Sequence, residues 1–499
     1  MNLWFVLTWS VLRTVVVASM AVWMGRGILR QIDRCVSSSW RGIWLAAALI
    51  PLLMPELVVG FTYRLTAQHL TDSVWGTELL YALVMLARSC AVSILVQCLI
   101  PRSAVTPESV HSWRLLNAQG VFAGWVYLRL LLTGPWRNPL LAWCLTALVT
   151  FQDFETAALV QVDRHPIVWT VWLFDANAGN QILRHTLMLI AAPVVFEMLL
   201  LLPCLLLISP HDGSTGNLRP LSGVEDRGTS KFVRSPVQSW LALLATVTAG
   251  WILVGHPVAL SVPELARGMA ALSRDLAGVS RQQAATFGFS ATAAALAMTL
   301  AVLLRRRNHS VLTCVCLAPG LAGSLALSLT LLVLFQSPGL RWLWDTWLPL
   351  LVGQSLLVLP RAWVLLLVLE FISAPEALHS ARLLHEGSSD HRATASRLLW
   401  RLSRLQWLLA LTVLCHWCTW DVTTASTLRP VTVEPVVTRL YREMHFSRTE
   451  SLTALALITA TFPLLAAAAG VLVWRVTGCL RRPALRLSRF RRTHVRWFD

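Results

Sequence analysis

The sequence predicts an all-α fold, a polytopic membrane helical bundle built from two tandem repeats of about five and six spans. Composition gives the first indication, because 56% of the 499 residues are hydrophobic and only 13% are charged. A soluble globular domain carries roughly 25% charged residues. Long apolar stretches recur along the whole chain, and each is close to the roughly 20 residues that cross the hydrocarbon as a helix. The third indication is an internal repeat.

Eleven apolar stretches are predicted to cross the membrane. They lie near residues 3–24, 43–65, 79–100, 138–158, 184–208, 237–256, 288–305, 311–335, 347–370, 407–427 and 452–474. The stretch 121–134 is also apolar, but it is short and contains Arg129. It is predicted to lie at the membrane surface or in a coupling region.

Arginines set the predicted orientation. They cluster in the segments 25–42, 101–137 and 375–406 and in the C-terminal tail. All four segments fall on one side when eleven spans are threaded in order, and so does Arg305-Arg306-Arg307. Cytoplasmic loops carry an excess of Arg and Lys. The N-terminus is therefore expected outside and the C-terminus inside, and the net charge of +17 indicates cytoplasmic loops rather than nucleic-acid binding.

The only long polar segment is residues 209–236, which mix Gly, Ser, Pro and charged residues. Such a composition is typical of a flexible linker, here predicted to be cytoplasmic. It divides the chain into a first repeat at 1–208 and a second at 237–480, followed by a basic cytoplasmic tail at 481–499.

The two halves share a motif. The segment from Pro107 to Asn117 (PESVHSWRLLN) and the segment from Pro375 to His385 (PEALHSARLLH) are identical at seven of eleven positions. His379 follows His111 by 268 residues, and Asp421 follows Asp153 by the same 268. A constant spacing over about fifty residues indicates duplication of a whole unit. Internal repeats of this kind are common in transporters, whose substrate path lies at the repeat interface.

At these residues the chain resembles the fused two-domain permeases of ABC importers, nearest to the iron(III) type. In that family a cytoplasmic loop of pattern E-A-A-x-x-x-G in each half docks into the ATPase. The matching positions here are His111, Ser112, Trp113, Arg114 and Asn117, and His379, Ser380, Ala381, Arg382 and His385. The loop glutamate of the family is replaced by His111 and His379, and its glycine by Asn117 and His385. The first half also lacks one N-terminal span of the usual six.

The resemblance implies a function and partners. The chain is expected to be the transmembrane subunit of an ABC importer for ferric iron or another small ion or nutrient. Its expected partners are an ABC ATPase, as a homodimer, an extracytoplasmic substrate-binding protein and membrane lipid, with no nucleic acid. The expected location is the bacterial cytoplasmic (inner) membrane, with multiple passes. A docking helix in each coupling loop would transmit closure of the ATPase as a rigid-body movement; the alternative for these segments is an interfacial helix held by its arginines.

The chain carries no P-loop of its own. That motif needs a lysine after a glycine frame to contact nucleotide phosphates, and the single lysine, Lys231, lies in Thr229-Ser230-Lys231-Phe232 without such a frame. The chain is therefore expected not to be an enzyme, with ATP hydrolysed by the partner, no cofactor, no catalytic residue and no metal site.

Asp153, Glu155 and Asp421 are the candidate residues of a translocation path, because carboxylates near hydrocarbon usually face a polar cavity. The alternative is a water-interface position or a hydrogen bond between helices. Arg13 and Arg88 lie within spans and are expected to snorkel or to face the bundle. Cys415-His416-Trp417-Cys418 lacks the spacing of a structural zinc site, and packing is the favoured role.

Two other classes remain open. An ion-coupled secondary transporter would show ionisable residues deep in its spans, and these are sparse in the sequence. A membrane-embedded lipid-modifying enzyme would need acid, base or nucleophilic residues clustered at one interface, and no such cluster is visible. Transport by the purified chain without an ATPase would favour the secondary transporter.

Overall fold

A computed structural model describes most of the chain and shows an all-helical protein. The described residues are 3–33, 38–70, 72–99, 111, 124, 127–128, 130–132, 134, 136–160, 167–178, 183–207, 236–307, 310–372, 389–446 and 448–490. Within these residues no strand occurs.

Eight α-helices make up the first half of the described chain. They are α1 (Leu3–Asp33), α2 (Ser38–Leu49), α3 (Glu56–His69), α4 (Val74–Leu99), α5 (Arg137–Phe151), α6 (Glu155–Val160), α7 (Trp169–Ala178) and α8 (Leu183–Leu207). A short 3-10 turn, Ile50–Leu53, connects α2 to α3.

The second half begins with one long helix and then repeats the order of the first. The long helix consists of α9 (Pro236–Gly250), a π-helical turn (Trp251–Gly255) and α10 (His256–Ser273). It is followed by α11 (Leu276–Arg307), α12 (Ser310–Leu321), α13 (Ser324–Gln336), α14 (Leu348–Ile372), α15 (Ser389–Thr419), α16 (Val422–Leu428), α17 (Val436–His445) and α18 (Thr449–Phe490).

The helix order and the helix contacts of α1–α8 recur in α11–α18. Helices α3 and α13 begin 268 residues apart, and α5 and α15 end 268 residues apart, which is the spacing of the sequence motif. In the first set α1 packs on α4 and α5, and α6 packs on α3; in the second, α11 packs on α14 and α15, and α16 packs on α13. The helix α9–α10 has no counterpart in the first set.

The predicted all-α membrane bundle is confirmed. Among the described residues, six helices are long and apolar enough to cross a membrane, and two bent pairs raise the number to eight if each is one span. The protein is therefore an integral, multi-pass membrane protein. The sequence predicted eleven spans. Of the remaining three, 138–158 is interrupted after α5, which has only 15 residues, and 407–427 is interrupted between α15 and α16. The third, 184–208, coincides with α8, an apolar helix of 25 residues.

Several predicted boundaries differ from the observed helices. The stretch 43–65 bends by 77° between α2 and α3, and 311–335 bends by 102° between α12 and α13. The span predicted to end at 256 continues to Ser273. The linker core 209–235, the coupling segments apart from His111, and most of 121–134 lie outside the described residues.

The π-helical turn in the long helix creates a hydrogen bond between the two halves. His256 N–H bonds to Trp251 O, one residue further back than in an α-helix, and the following residue, Pro257, has no N–H. The carbonyl of Ile252 is thereby left for another donor, and Tyr63 Oη of α3 donates to it at 2.8 Å. Tyr63 also stacks on His256, with ring centroids 5.1 Å apart.

The long helix bridges the halves by packing on both. Helix α9 contacts α1 and α4 of the first half, whereas α10 packs along α18 of the second. At Gly268 an added Cβ would lie 2.0 Å from the carbonyl oxygen of Glu450. This position therefore needs glycine for the close approach of α10 and α18.

We expect Gly268→Ala to lower the stability of the detergent-solubilised protein by about 1–3 kcal/mol, because the new methyl group would push the two backbones apart. The measurement is the midpoint of thermal unfolding. The matched control is Gly288→Ala, since an added Cβ there meets nothing within 4 Å and alanine is the better helix former. Equal midpoints for the two variants would contradict the close packing of α10 and α18.

Candidate functional site

The candidate site lies where four short helices meet after breaks in the longer ones. Helices α3, α6, α13 and α16 each follow an interruption. Their apolar side chains join one buried cluster, with Leu57, Leu159, Leu327 and Val422 contributed by α3, α6, α13 and α16 in turn. The site is thus built equally from both halves.

Asp153 and Asp421 occupy equivalent positions in the two halves, and each accepts a hydrogen bond from a backbone N–H at the start of a short helix. Asp153 Oδ2 accepts a hydrogen bond from Ala157 N at 3.0 Å, and Asp421 Oδ1 accepts one from Thr424 N at 3.3 Å. Each carboxylate therefore caps the free N–H groups at the start of a short helix. One oxygen of each, Asp153 Oδ1 and Asp421 Oδ2, is buried without a hydrogen-bond partner in the described structure.

Glu155 connects the two halves directly. Its Oε1 accepts a hydrogen bond from Val422 N at 2.9 Å, so a carboxylate at the start of α6 caps the N-terminus of α16 in the other half. Glu155 also interacts electrostatically with Glu56, Asp421 and Asp153. The structure thus brings together all three residues that the sequence singled out.

Two side chains of α15, in the second half, form hydrogen bonds with backbone carbonyls of the first half. His416 Nε2 lies 2.7 Å from the carbonyl oxygen of Leu53, and since a carbonyl only accepts, Nε2 carries the hydrogen. Trp417 Nε1 donates to the carbonyl oxygen of Leu52 at 3.2 Å. These carbonyls belong to the 3-10 turn between α2 and α3, where the helix break leaves them without helical partners.

The neighbouring cysteines complete the description of Cys415-His416-Trp417-Cys418. Cys415 and Cys418 are buried free thiols, while the ring of Trp417 packs under the guanidinium of Arg361 at 5.5 Å. In the part of the chain that the structure describes, no group of three or more His, Cys, Asp or Glu side chains is placed to hold a metal ion.

Two ion pairs, one buried and one partly buried, support the site from the first half. Arg13 bonds to Glu78 through Nε at 2.5 Å and Nη2 at 2.8 Å, and Arg88 pairs with Glu56. Arg13 and Arg88 thus face the bundle, one of the two placements that the sequence allowed. Removing one partner from a buried pair typically costs about 3–5 kcal/mol, because the other charge is left uncompensated.

A tyrosine links one of these pairs to Asp153. The Tyr81 ring lies under the Arg13 guanidinium at 5.1 Å, and its hydroxyl donates to Asp153 Oδ2 at 2.8 Å. Beside the other pair, Glu56 and Arg88 line a small cavity of about 10 Å³, which is room for about one water molecule. Sequence reasoning missed Glu56, Glu78 and Tyr81; the signal for Glu78 was an ionisable residue near the start of an apolar stretch.

The predicted coupling residues cannot be placed with this site. His111 is helical and exposed. The others, Ser112, Trp113, Arg114, Asn117, His379, Ser380, Ala381, Arg382 and His385, lie outside the described residues.

Comparison with known proteins identifies no relative. No family model, no curated protein and no solved structure matches the chain.

We expect Glu155→Ala to weaken the contact between α6 and α16, because a hydrogen bond to a charged group contributes about 1.5–3 kcal/mol. The readout is the labelling rate of Cys418 by a thiol reagent, followed by peptide mass spectrometry. Cys418 is fully buried beside the break, and its labelling should become faster.

Asp345→Ala is the matched control. Asp345 Oδ1 also accepts a hydrogen bond from a backbone N–H, that of Val431 at 3.0 Å, but both residues belong to the second half. This variant should leave the labelling of Cys418 unchanged. If Glu155→Ala also leaves it unchanged, Glu155 does not hold the two halves together.

Proposed function

We propose that the chain is the transmembrane permease subunit of an ABC importer, in which it couples a separate ATPase to alternating access. The cargo class is ferric iron or another small ion or nutrient. The partners are an ABC ATPase homodimer on the cytoplasmic side and an extracytoplasmic substrate-binding protein. The membrane is the bacterial cytoplasmic (inner) membrane. The proposal starts from the resemblance of the two coupling loops.

The observation that carries the proposal is that two equivalent helix sets meet at the breaks that precede α3, α6, α13 and α16. These breaks are called the broken-helix seam below. Transporters built from repeats place the substrate path at the repeat interface, beside discontinuous helices. Here that interface is closed by Glu155 on Val422 N and by His416 and Trp417 on the carbonyls of Leu53 and Leu52.

These contacts suit a gate that opens and closes. Each joins a side chain of one half to a backbone group exposed by a helix break in the other half. Water can replace such a partner when the halves separate, so opening does not require unfolding of a helix. A movement of the halves, driven by ATPase closure at the coupling loops, would therefore open the path by rigid-body displacement.

We expect a P-loop ATPase to copurify with the chain from native membranes under mild detergent, as identified by mass spectrometry. Changing Arg114 and Arg382 together to Glu should abolish copurification, because the docking loops would then repel carboxylates of the partner.

The control for this experiment reverses the charge of Arg306 and Arg307, two exposed arginines at the end of α11 on the same predicted side. This variant should retain the ATPase. Recovery of the wild-type chain alone at every detergent strength would reject the importer proposal and leave the repeat as a mark of ancestry.

A second candidate, an ion-coupled secondary transporter, is favoured by one observation. Buried ionisable groups are more numerous in the helix bundle than the sequence suggested, with Arg13, Glu78 and Asp153 all less than one-tenth exposed. Purified chain in sealed vesicles distinguishes the two candidates. Substrate uptake that follows an imposed ion gradient without ATPase would establish the second, whereas uptake that requires added ATPase and ATP would establish the first.

A further inference from the structure

Glu197 is a carboxyl group in the interior of the bundle that none of the contacts above uses. It lies in the middle of α8 and is completely buried, at 0% exposure. Neither of its carboxyl oxygens has a hydrogen-bond partner in the described structure. An ionisable residue inside a membrane is costly to keep and usually has a function.

The polar side chain that interacts with Glu197 is Gln152. Gln152 lies in the break between α5 and α6, and its Nε2 is also buried without a hydrogen-bond partner. The side chain of Gln152 also lies next to Gly323, where an added Cβ would be 3.3 Å from Gln152 Cγ. Gly323 has φ of +89° and lies in the break between α12 and α13. The pair Glu197–Gln152 therefore lies beside the seam of broken helices.

Among the described residues, no cation is placed to compensate Glu197. Helix α8 packs against α5, α7, α12 and α13. The titratable side chains of these helices are Arg137 and Cys144 on α5, Asp175 on α7, and Cys314 and Cys316 on α12, with none on α13. None of them is among the groups that interact with Glu197, and Arg13 of α1 pairs with Glu78. On α8 itself, Arg184 and His185 precede Glu197 by at least 12 residues, roughly 18 Å along a helix.

The chemistry of this pair favours a proton as the missing partner. An ionised carboxylate is an acceptor only, and without a cation its burial is strongly unfavourable. A neutral carboxyl group can donate its O–H to Gln152 Oε1 and accept from Gln152 Nε2 through its carbonyl oxygen. Both side chains would then be satisfied by each other.

We propose that Glu197 and Gln152 form a proton-binding site in the first repeat, and that its proton exchanges with water only when the broken-helix seam opens. The equivalent position in the second half is Leu465, which is 65% exposed, so the site occurs once. It does not depend on how transport is driven, and its failure would leave the ATPase experiment unaffected.

The test is infrared difference spectroscopy of the full chain in lipid nanodiscs at neutral pH in potassium buffer. Subtracting Glu197→Gln from wild type should leave the carbonyl-stretch band of a protonated carboxylic acid and no carboxylate band. Glu443→Gln is the matched control. Glu443 is also buried, but it accepts from Ser451 Oγ at 3.0 Å and lies near Arg439 and Arg448; its difference spectrum should show carboxylate bands.

Exchange into heavy water tests the second part of the proposal. The acid band of Glu197 should shift slowly in wild type and faster in Glu155→Ala, where the seam is weakened. Carboxylate bands in place of the acid band would overturn the proton site. Loss of the acid band on replacing potassium by sodium would overturn it in favour of a metal cation, and equal exchange rates in both backgrounds would overturn its link to the seam. Glu197→Gln should fold like wild type, since glutamine matches the neutral acid in shape.

Discussion

The architecture depends on one constraint, that backbone N–H and C=O groups in hydrocarbon must find partners within the protein. Each unsatisfied group costs several kcal/mol, and this chain interrupts its helices at several points inside the bundle. The interruptions are possible because the halves satisfy one another. Glu155 accepts from Val422 N, and His416 donates to the carbonyl of Leu53. The helix breaks are therefore stable only because the two halves associate and supply each other's hydrogen-bond partners.

The two halves share a scaffold but differ in charge. Glu56 and Glu155 of the first half correspond, at the 268-residue spacing, to Ser324 and Thr423 of the second. Asp153 and Asp421 are acidic in both halves, and both cap a short helix. The capping requirement explains why duplication left this pair alike. The additional carboxylates and their arginine partners concentrate charge on one side of the seam.

Much of the fold was predictable from the sequence, because the lengths of the apolar stretches and the spacing of the repeat can be read directly from it. The apolar stretches, the all-α class and the grouping of Asp153, Glu155 and Asp421 follow from such patterns. The helix breaks were not predictable, because Pro55 and Gly323 interrupt stretches whose hydropathy is continuous. The pairing of Arg88 with Glu56 and the exposure of the Ile252 carbonyl to Tyr63 depend on tertiary packing, which no periodicity encodes.

The long helix α9–α10 also has a consequence for biosynthesis. The hydroxyl of Tyr63 donates a hydrogen bond to the carbonyl of Ile252, 189 residues later in the chain. Helices α1 and α4 pack against α9. When α8 leaves the ribosome, helices α1 and α4 still lack the helix that packs against them. Until that helix is inserted, the first half remains incomplete in the bilayer. In a nascent chain arrested before residue 256, the hydroxyl of Tyr63 would have no acceptor. Insertion of one helix from the second half thus completes the assembly of the first.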